Sequence, residues 1–483
     1  METCETETDE SNLRGLKKDA SMRKVGNMSP GLYAAAGAEL PGLPPGPRMP
    51  SALQAVGWAL RPLAFMDRCH ARYGEIFTLR VRGRRPWVFL TNPEDVKQVF
   101  TTDTELLRAG AGEANPLLGP LLGARSVMLL DEPQHMRDRK RLLPSFHGQR
   151  MQGYGEMMSD VARAKVEDWP TGEPFALWPR MQAISLEVVM RAVFDGLESE
   201  RRERLRVRLV ELTDWLNDPR RLALLAAVGP RSITASARFR DALGRVESVV
   251  LEEVRRRRAA PQEHELEDIY SMLERAYAED GSPMSEKKLR DELVTLLSDG
   301  PTATSLAWVF ERLLRHPDKL ARLREEVLRG EGEEYLDAVV KETLRLCPTV
   351  PVVMRRLIEP MRVGAYTIPP DTIVAPCVYL MHRRPDIYPQ PLSFRPERFL
   401  EGSAGTYTWI PFGGGVRRCV AASFAQLEIK RVMQVVLSEV NLRPAASRSE
   451  GAARSSVSFA PNGGALVIAT RRKRAHQNVS TPA

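Results

Sequence analysis

From about residue 93 to residue 346 the chain carries one kind of pattern, with apolar side chains recurring three and four positions apart. That is the period of amphipathic helices, and a run of this length commits the fold to being mainly α. Breaks at Pro133, Gly153, Pro170, Pro219, Pro230, Pro261 and Pro283 predict where it divides into separate helices. The two sides of the run differ from it. EIFTLRVRGRRPWVFLT (75–91) holds two β-rich stretches around Gly83, a hairpin signal, and a short helix is expected over 62–73 before it. Residues 350–399 are proline-rich and β-branched, and they lead into a glycine loop, one more helix over 419–440 and a β tail over 456–470. LPGLPPGPRMP (40–50) must be extended and is expected to lie along the surface.

The predicted class is therefore mainly α with a small β portion, α+β overall, in which both ends of the chain supply the strands. No internal repeat or flexible linker interrupts residues 60–470, so one large domain over 41–470 is expected. The segments 1–40 and 471–483 have no period and are read as disordered tails. With 483 residues, 43% of them hydrophobic, the chain has enough apolar mass for a large core.

No apolar run approaches the roughly 20 residues needed to span a bilayer, LALLAAVG (222–229) being far too short, and there is no secretory segment. A cytoplasmic monomer is expected. The five cysteines, Cys4, Cys69, Cys347, Cys377 and Cys419, are scattered and odd in number, which argues against a disulfide framework. The net charge of +8 includes arginine runs such as 255–258 on Glu-rich helical segments, which read as solvated faces. With no nucleic-acid motif present, an acidic protein is the more useful partner to expect.

LLSDGPTATSLAW (296–308) is helical on both sides yet contains Gly300 and Pro301. Proline in a helix interior costs about 3 kcal/mol and glycine about 1 more, so the pair marks either a junction or a special site. WIPFGGGVRRCVAASFAQLEIKR (409–431) is the strongest local signal. Three glycines let a backbone turn tightly and approach a ligand, and Cys419 follows where a helix is expected to begin. There the helix dipole, Arg417 and Arg418 would favour the thiolate, which is the form that attacks or binds metal.

Phe412, Gly415, Arg417 and Cys419 resemble the F-x-x-G-x-R-x-C haem loop of the cytochrome P-450 superfamily, whose cysteine thiolate is the proximal iron ligand. Three further pieces resemble that family in order. KETLRLCP (341–348) is similar to its E-x-x-R helix, with Glu342 and Arg345 on one face. FRPERF (394–399) is similar to the segment whose arginine, here Arg398, closes a buried ion network with that pair. DEPQHMRDRKRLLPSFHG (131–148) is similar to the helix whose histidine and arginine, here His135 and Arg139, grip a haem propionate. The resemblance covers residues 40–470. It implies haem b held by His135, Arg139, Arg417 and Cys419, with Arg355 or Arg356 as a further cation. Backbone amides of residues 413–415 would lie near the sulfur. Where the family has glycine two residues after the cysteine, this chain has Ala421, the smallest possible change.

The distal helix departs from the family's A-G-x-acid-T-T. Either Asp299 and Gly300 stand for the A-G pair and the next two positions are missing, or Gly300 takes the acid's place and Pro301 the first threonine's. Asp299 and Thr302 rank first as substitutes in proton delivery, ahead of Ser298 and Thr304. The flanking match predicts one continuous helix bent over the haem, with the Leu297 carbonyl left without its usual donor. The apolar segments 114–130 and 350–353 imply a hydrophobic organic substrate.

The resemblance thus implies a monooxygenase that inserts one atom of O2 into that substrate by hydroxylation or epoxidation. Electrons would come from a separate ferredoxin or flavodoxin with its reductase. Two alternatives stay open at this point: a peroxygenase, isomerase or dehydratase using the same haem, and a haem-binding relative without catalysis.

Overall fold

The computed structural model describes residues 40–472 apart from 82–84, 103, 110–117, 149, 219–235, 261–265, 280, 282–283, 299, 331, 403–404 and 456–457. The expected tails thus fall almost wholly outside the described residues. Helices dominate from Pro93–Thr101 to Glu334–Leu346, with Ala422–Glu439 added near the C-terminal end. Gly153 does not break the chain, because Arg150–Glu167 runs through it as one helix. Its two interior glycines, Gly153 and Gly155, cost only about 1 kcal/mol each, less than tertiary packing returns, and this helix packs closely along Ala422–Glu439.

The sheets join distant parts of the sequence. Ile76–Leu79 and Trp87–Leu90 pair antiparallel, Ile76 opposite Leu90, as the hairpin signal predicts. Trp87–Leu90 then pairs parallel with Ile373–Pro376, which pairs with Arg355–Leu357 and through it with Leu107–Arg108. Every residue of Trp87–Leu90 and Ile373–Pro376 is buried, which explains their near-continuous apolar runs. Strands also arise inside the helical span, at Leu107–Arg108 and at Pro174–Ala176, the latter on the edge of Leu466–Arg471. They are two and three residues long, too short for a period-2 pattern to stand out. The proline-rich stretch is tied down by Thr78, whose hydroxyl donates to Pro44 O at 2.7 Å and whose amide donates to Pro45 O at 2.9 Å.

The distal segment corrects an expectation. It is two helices, Glu286–Leu297 and Pro301–Leu314, rather than one bent helix. Pro301 is the first residue of the second helix, where the missing N–H is one that no intrahelical acceptor would have met. The interior-proline penalty therefore does not arise. Residues 302–311 are all buried, so this helix runs through the core with no polar face.

Candidate active site

The Glu342 helix supplies the most completely buried charges. Glu342 and Arg345 are both inaccessible to solvent, and Arg345 Nε and Nη2 donate to the two carboxylate oxygens at 2.7 and 2.9 Å. Arg398 Nε approaches the same carboxylate at 3.1 Å, and the Arg395 amide donates to it at 2.8 Å. The remaining guanidinium donors of Arg345 meet the carbonyls of His382 (2.6 Å), Pro391 (2.8 Å) and Ser393 (3.3 Å). A buried ion pair survives only when its leftover donors and acceptors are also met, and here backbone groups meet them.

His382, which sequence reasoning missed, links this network to the cysteine loop. Its Nδ1 lies 3.1 Å from Arg345 O and its Nε2 accepts the Ile410 amide at 2.9 Å, which fixes a neutral ring with the proton on Nδ1. Burial first, then the charges of Arg345 and Arg383, push its pKa from 6.5 down to about 3. The unfolded ring takes up a proton as pH falls through 6.5 and the folded ring does not, so stability present above that value drains away on acidification. Between pH 7 and 5 this histidine is expected to remove about 2 kcal/mol of stability. Urea unfolding of the wild type and His382→Gln at both pH values checks this, the variant losing about one proton of the pH slope.

Ile410 leads directly into the loop. Trp409 Nε1 donates to Lys341 O at 3.1 Å, a second tie to the Glu342 helix. Phe412 packs edge-on to Trp409, and its carbonyl accepts the Cys419 amide at 3.0 Å, closing residues 412–419 into a ring. Gly415 has φ +64°, and a Cβ there would stand 2.2 Å from Phe100 O. A Cβ at Gly414 would strike the Phe100 ring at 2.3 Å. Both glycines are therefore demanded by the Pro93–Thr101 helix, whose part in the loop the sequence did not reveal. The Gly413 amide donates to Ile410 O at 3.0 Å, so it is not a donor to sulfur. The following helix begins at Ala422, three residues later than expected, with Ala421 at the N-cap position and no side-chain cap.

Cys419 is exposed, whereas Cys69 and Cys377 are buried and Cys347 partly so. Burial raises the Cys69 thiol to about 11 and the Cys377 thiol to about 12, and it raises Cys347 as well. Those three are held protonated, which leaves Cys419 as the exposed thiol among the described residues.

A cluster of cations faces this loop. His135 is buried, with Nδ1 2.7 Å from Glu132 Oε1; burial and then the Arg417 charge lower its pKa. Arg417 is itself largely buried, its Nε has no hydrogen-bond partner, and Nη2 reaches only Asp131 Oδ1 at 3.4 Å. Arg355 is buried with Nη1 on the Met354 carbonyl at 2.8 Å; burial and the neighbouring Arg417 lower its pKa to about 10. Arg139 feels the charges of Cys419 and Arg418, and no carboxylate of the described residues stands within ion-pair distance of it. Arg356, the alternative to Arg355, is instead paired with Asp371 at 2.7 Å. Buried guanidinium groups so poorly compensated are stable only if an anion completes them.

On the distal side Asp299 lies outside the described residues. Thr302 is buried. The Ser298 hydroxyl donates to Val294 O at 2.6 Å. Thr304 donates to Gly300 O at 3.1 Å while accepting from Trp178 Nε1 at 3.2 Å, so it is engaged in structure. Of the apolar segments, 110–117 lies outside the described residues. Residues 125–127 are latched to the first distal helix: the Arg125 amide donates to Asp291 at 2.9 Å, the Val127 amide to Glu292 at 3.0 Å, and Thr295 Oγ1 to Ser126 Oγ at 2.7 Å. Val353 stands beside the cysteine loop, 3.7 Å from where a Gly413 Cβ would lie.

Comparison with known proteins bears on this arrangement. The family model described as Cytochrome P450 matches residues 40–463. The Mycobacterium tuberculosis protein given the name cytochrome P450 135B1 is 38% identical over 452 residues, 91% of this chain and 93% of the relative. Another from that organism, given the name cytochrome P450 137, is 35% identical over 439 residues, 88% of this chain and 90% of the relative. Among solved structures, the haem domain of cytochrome P450DA superposes with a TM-score of 0.77 at 21% identity, over 90% of this chain and 99% of that one. The retinoic acid-bound cyanobacterial CYP120A1 gives 0.74 at 21% identity, over 90% and 100%. With the family pattern running through nearly all of its described length, the chain belongs to the cytochrome P450 family and is a haem-thiolate monooxygenase.

Proposed function

We propose that Cys419 is the proximal ligand of haem b and that His135, Arg139, Arg355 and Arg417 receive its two propionates. The observation that carries this reading is the meeting of one accessible cysteine with buried, under-compensated guanidinium groups. The residues fit the group in a second respect. Among the described residues no three His, Cys, Asp or Glu side chains converge as a metal site, so a metal on Cys419 would bring its other ligands with it, as a porphyrin does.

When bound, haem supplies reductive activation of O2 and transfer of one oxygen atom to the substrate. The chain does the rest. Burial of Arg355 and Arg417 keeps water from the anionic edge, while the closed 412–419 ring fixes the sulfur. Thr302, with Asp299 beside the break, moves protons on the distal side. Val353 and the 118–130 segment shape an apolar space, so the substrate is a hydrophobic small molecule that is hydroxylated or epoxidised. The domain extends over 41–470 and acts as a cytoplasmic monomer. No described helix is long and apolar enough to cross a membrane. Exposed Arg418 in the loop and exposed Lys140 on the Gln134–Leu142 helix suit an acidic ferredoxin or flavodoxin served by its reductase.

Turnover tests this reading. With a ferredoxin, its reductase, NAD(P)H and O2, a hydrophobic substrate that shifts the haem spectrum is expected to yield oxygenated product. The helix break favours one competing reading, a peroxygenase, since Gly300 and Pro301 bring no acid or alcohol. Product formed with hydrogen peroxide but not with the electron-transfer chain would decide for it.

Pro301→Ala removes the ring that fixes the start of the second distal helix and adds an N–H facing the break. The ratio of product to NAD(P)H consumed is expected to change at least twofold, and an unchanged ratio would make the break purely structural.

A further inference from the structure

The helix Gln134–Leu142 has a second cationic face. His135 and Arg139 lie four apart, whereas Arg137 and Arg141 lie roughly half a turn round the axis from them, with Asp138 about a quarter turn away. That second face borders a solvent-open cavity of about 280 Å³, set between this helix, the latched 125–130 segment and the first distal helix.

Its described lining holds four cations, Arg125, Arg137, Arg141 and Lys288, and one carboxylate, Asp138, while Glu292 behind Lys288 supplies a second, so the excess charge sits on Arg125 and Arg137. Asp138 is already saturated. It accepts from Lys288 Nζ at 2.5 Å, from Tyr277 OH at 2.6 Å and from Arg141 Nη1 at 3.2 Å. Lys288 is fixed further by Glu292 at 2.6 Å and by the Arg125 carbonyl at 2.5 Å, and the Arg141 guanidinium stacks 3.8 Å over the Tyr277 ring. Arg125 has its backbone pinned from both sides, yet no carboxylate of the described residues lies within ion-pair distance of its guanidinium, and the same holds for Arg137. Two guanidinium forks whose charge no described carboxylate offsets suit paired phosphate oxygens.

We propose that this cavity binds a small phosphate-bearing polyanion. Arg125 and Arg137 are its bidentate partners, while Lys288 and Arg141, offset by Asp138 and Glu292, hold the walls of the cavity in place. The site stands apart from the propionate cations and takes neither haem nor hydrophobic substrate.

Titration calorimetry of the haem-loaded protein with inorganic pyrophosphate at low salt tests it. Saturable binding is expected in the wild type, at least tenfold weaker in Arg125→Gln/Arg137→Gln. Both side chains are exposed, so folding should be unaffected, and an unchanged spectrum of the carbon monoxide complex verifies that. The proposal is overturned by no saturable binding to the wild type or by equal affinity in the variant. It is overturned equally by citrate binding as tightly, since carboxylates would then serve as well as phosphates.

Discussion

Glu342→Ala is expected to remove most of the yield of folded, haem-loaded protein. The substitution leaves the Arg345 guanidinium, wholly buried, without its counter-ion. Removing one partner of such a pair costs about 3 to 5 kcal/mol, against about 5 to 15 kcal/mol for the whole fold. The loss extends beyond the pair, because Arg345 also donates to the carbonyls of His382, Pro391 and Ser393, and His382 holds the Ile410 amide at the entrance to the cysteine loop. Replacing both members of the pair by leucine should not rescue the fold, since those three carbonyls would still lack their donor. Haem retained per folded chain, together with the urea midpoint, measures the effect; a variant within about 1 kcal/mol of wild type would mean that the network is marginal to the fold.

The second large effect concerns chemistry rather than folding. Cys419→Ala is expected to lower O2-dependent turnover by at least about 1,000-fold, equivalent to about 4 kcal/mol of transition-state stabilisation. Helix content by circular dichroism should be unchanged, because the exposed side chain packs into no core cluster while the loop is closed by its backbone. Cys347→Ala offers the contrast. That thiol is held protonated by burial, so its loss should affect stability and leave turnover within a few fold.

Much of this could be read before the fold was known, for particular physical reasons. Glu342 with Arg345 and the 412–419 loop are local in sequence, and helical spacing or glycine content announces them, whereas Arg398, 56 residues from Glu342, was reached only through the resemblance to the family's ion network. His382, Phe100 and Trp178 could not be found that way, because each acts through contacts made only after distant segments meet. The helix break was visible as Gly300 and Pro301 but misread as a kink. Proline is costly only inside a helix, and whether it lies inside or at the first position depends on where the preceding helix stops. Leu107–Arg108 and Pro174–Ala176 escaped notice because pairing by two or three residues is imposed by partner strands. The four cations proposed for the propionates were nominated separately, His135, Arg139 and Arg417 from motifs and Arg355 only as a further cation. The burial of His135, Arg355 and Arg417 together is a property of packing alone.

The central claim is that Cys419 carries the haem through its thiolate. Adding carbon monoxide to the dithionite-reduced protein tests it most directly. The wild type is expected to show the strongly red-shifted Soret band of thiolate-ligated haem, and Cys419→Ala to lose it. Absence of that band in protein whose Cys419 is intact, or its persistence in the variant, would contradict the assignment.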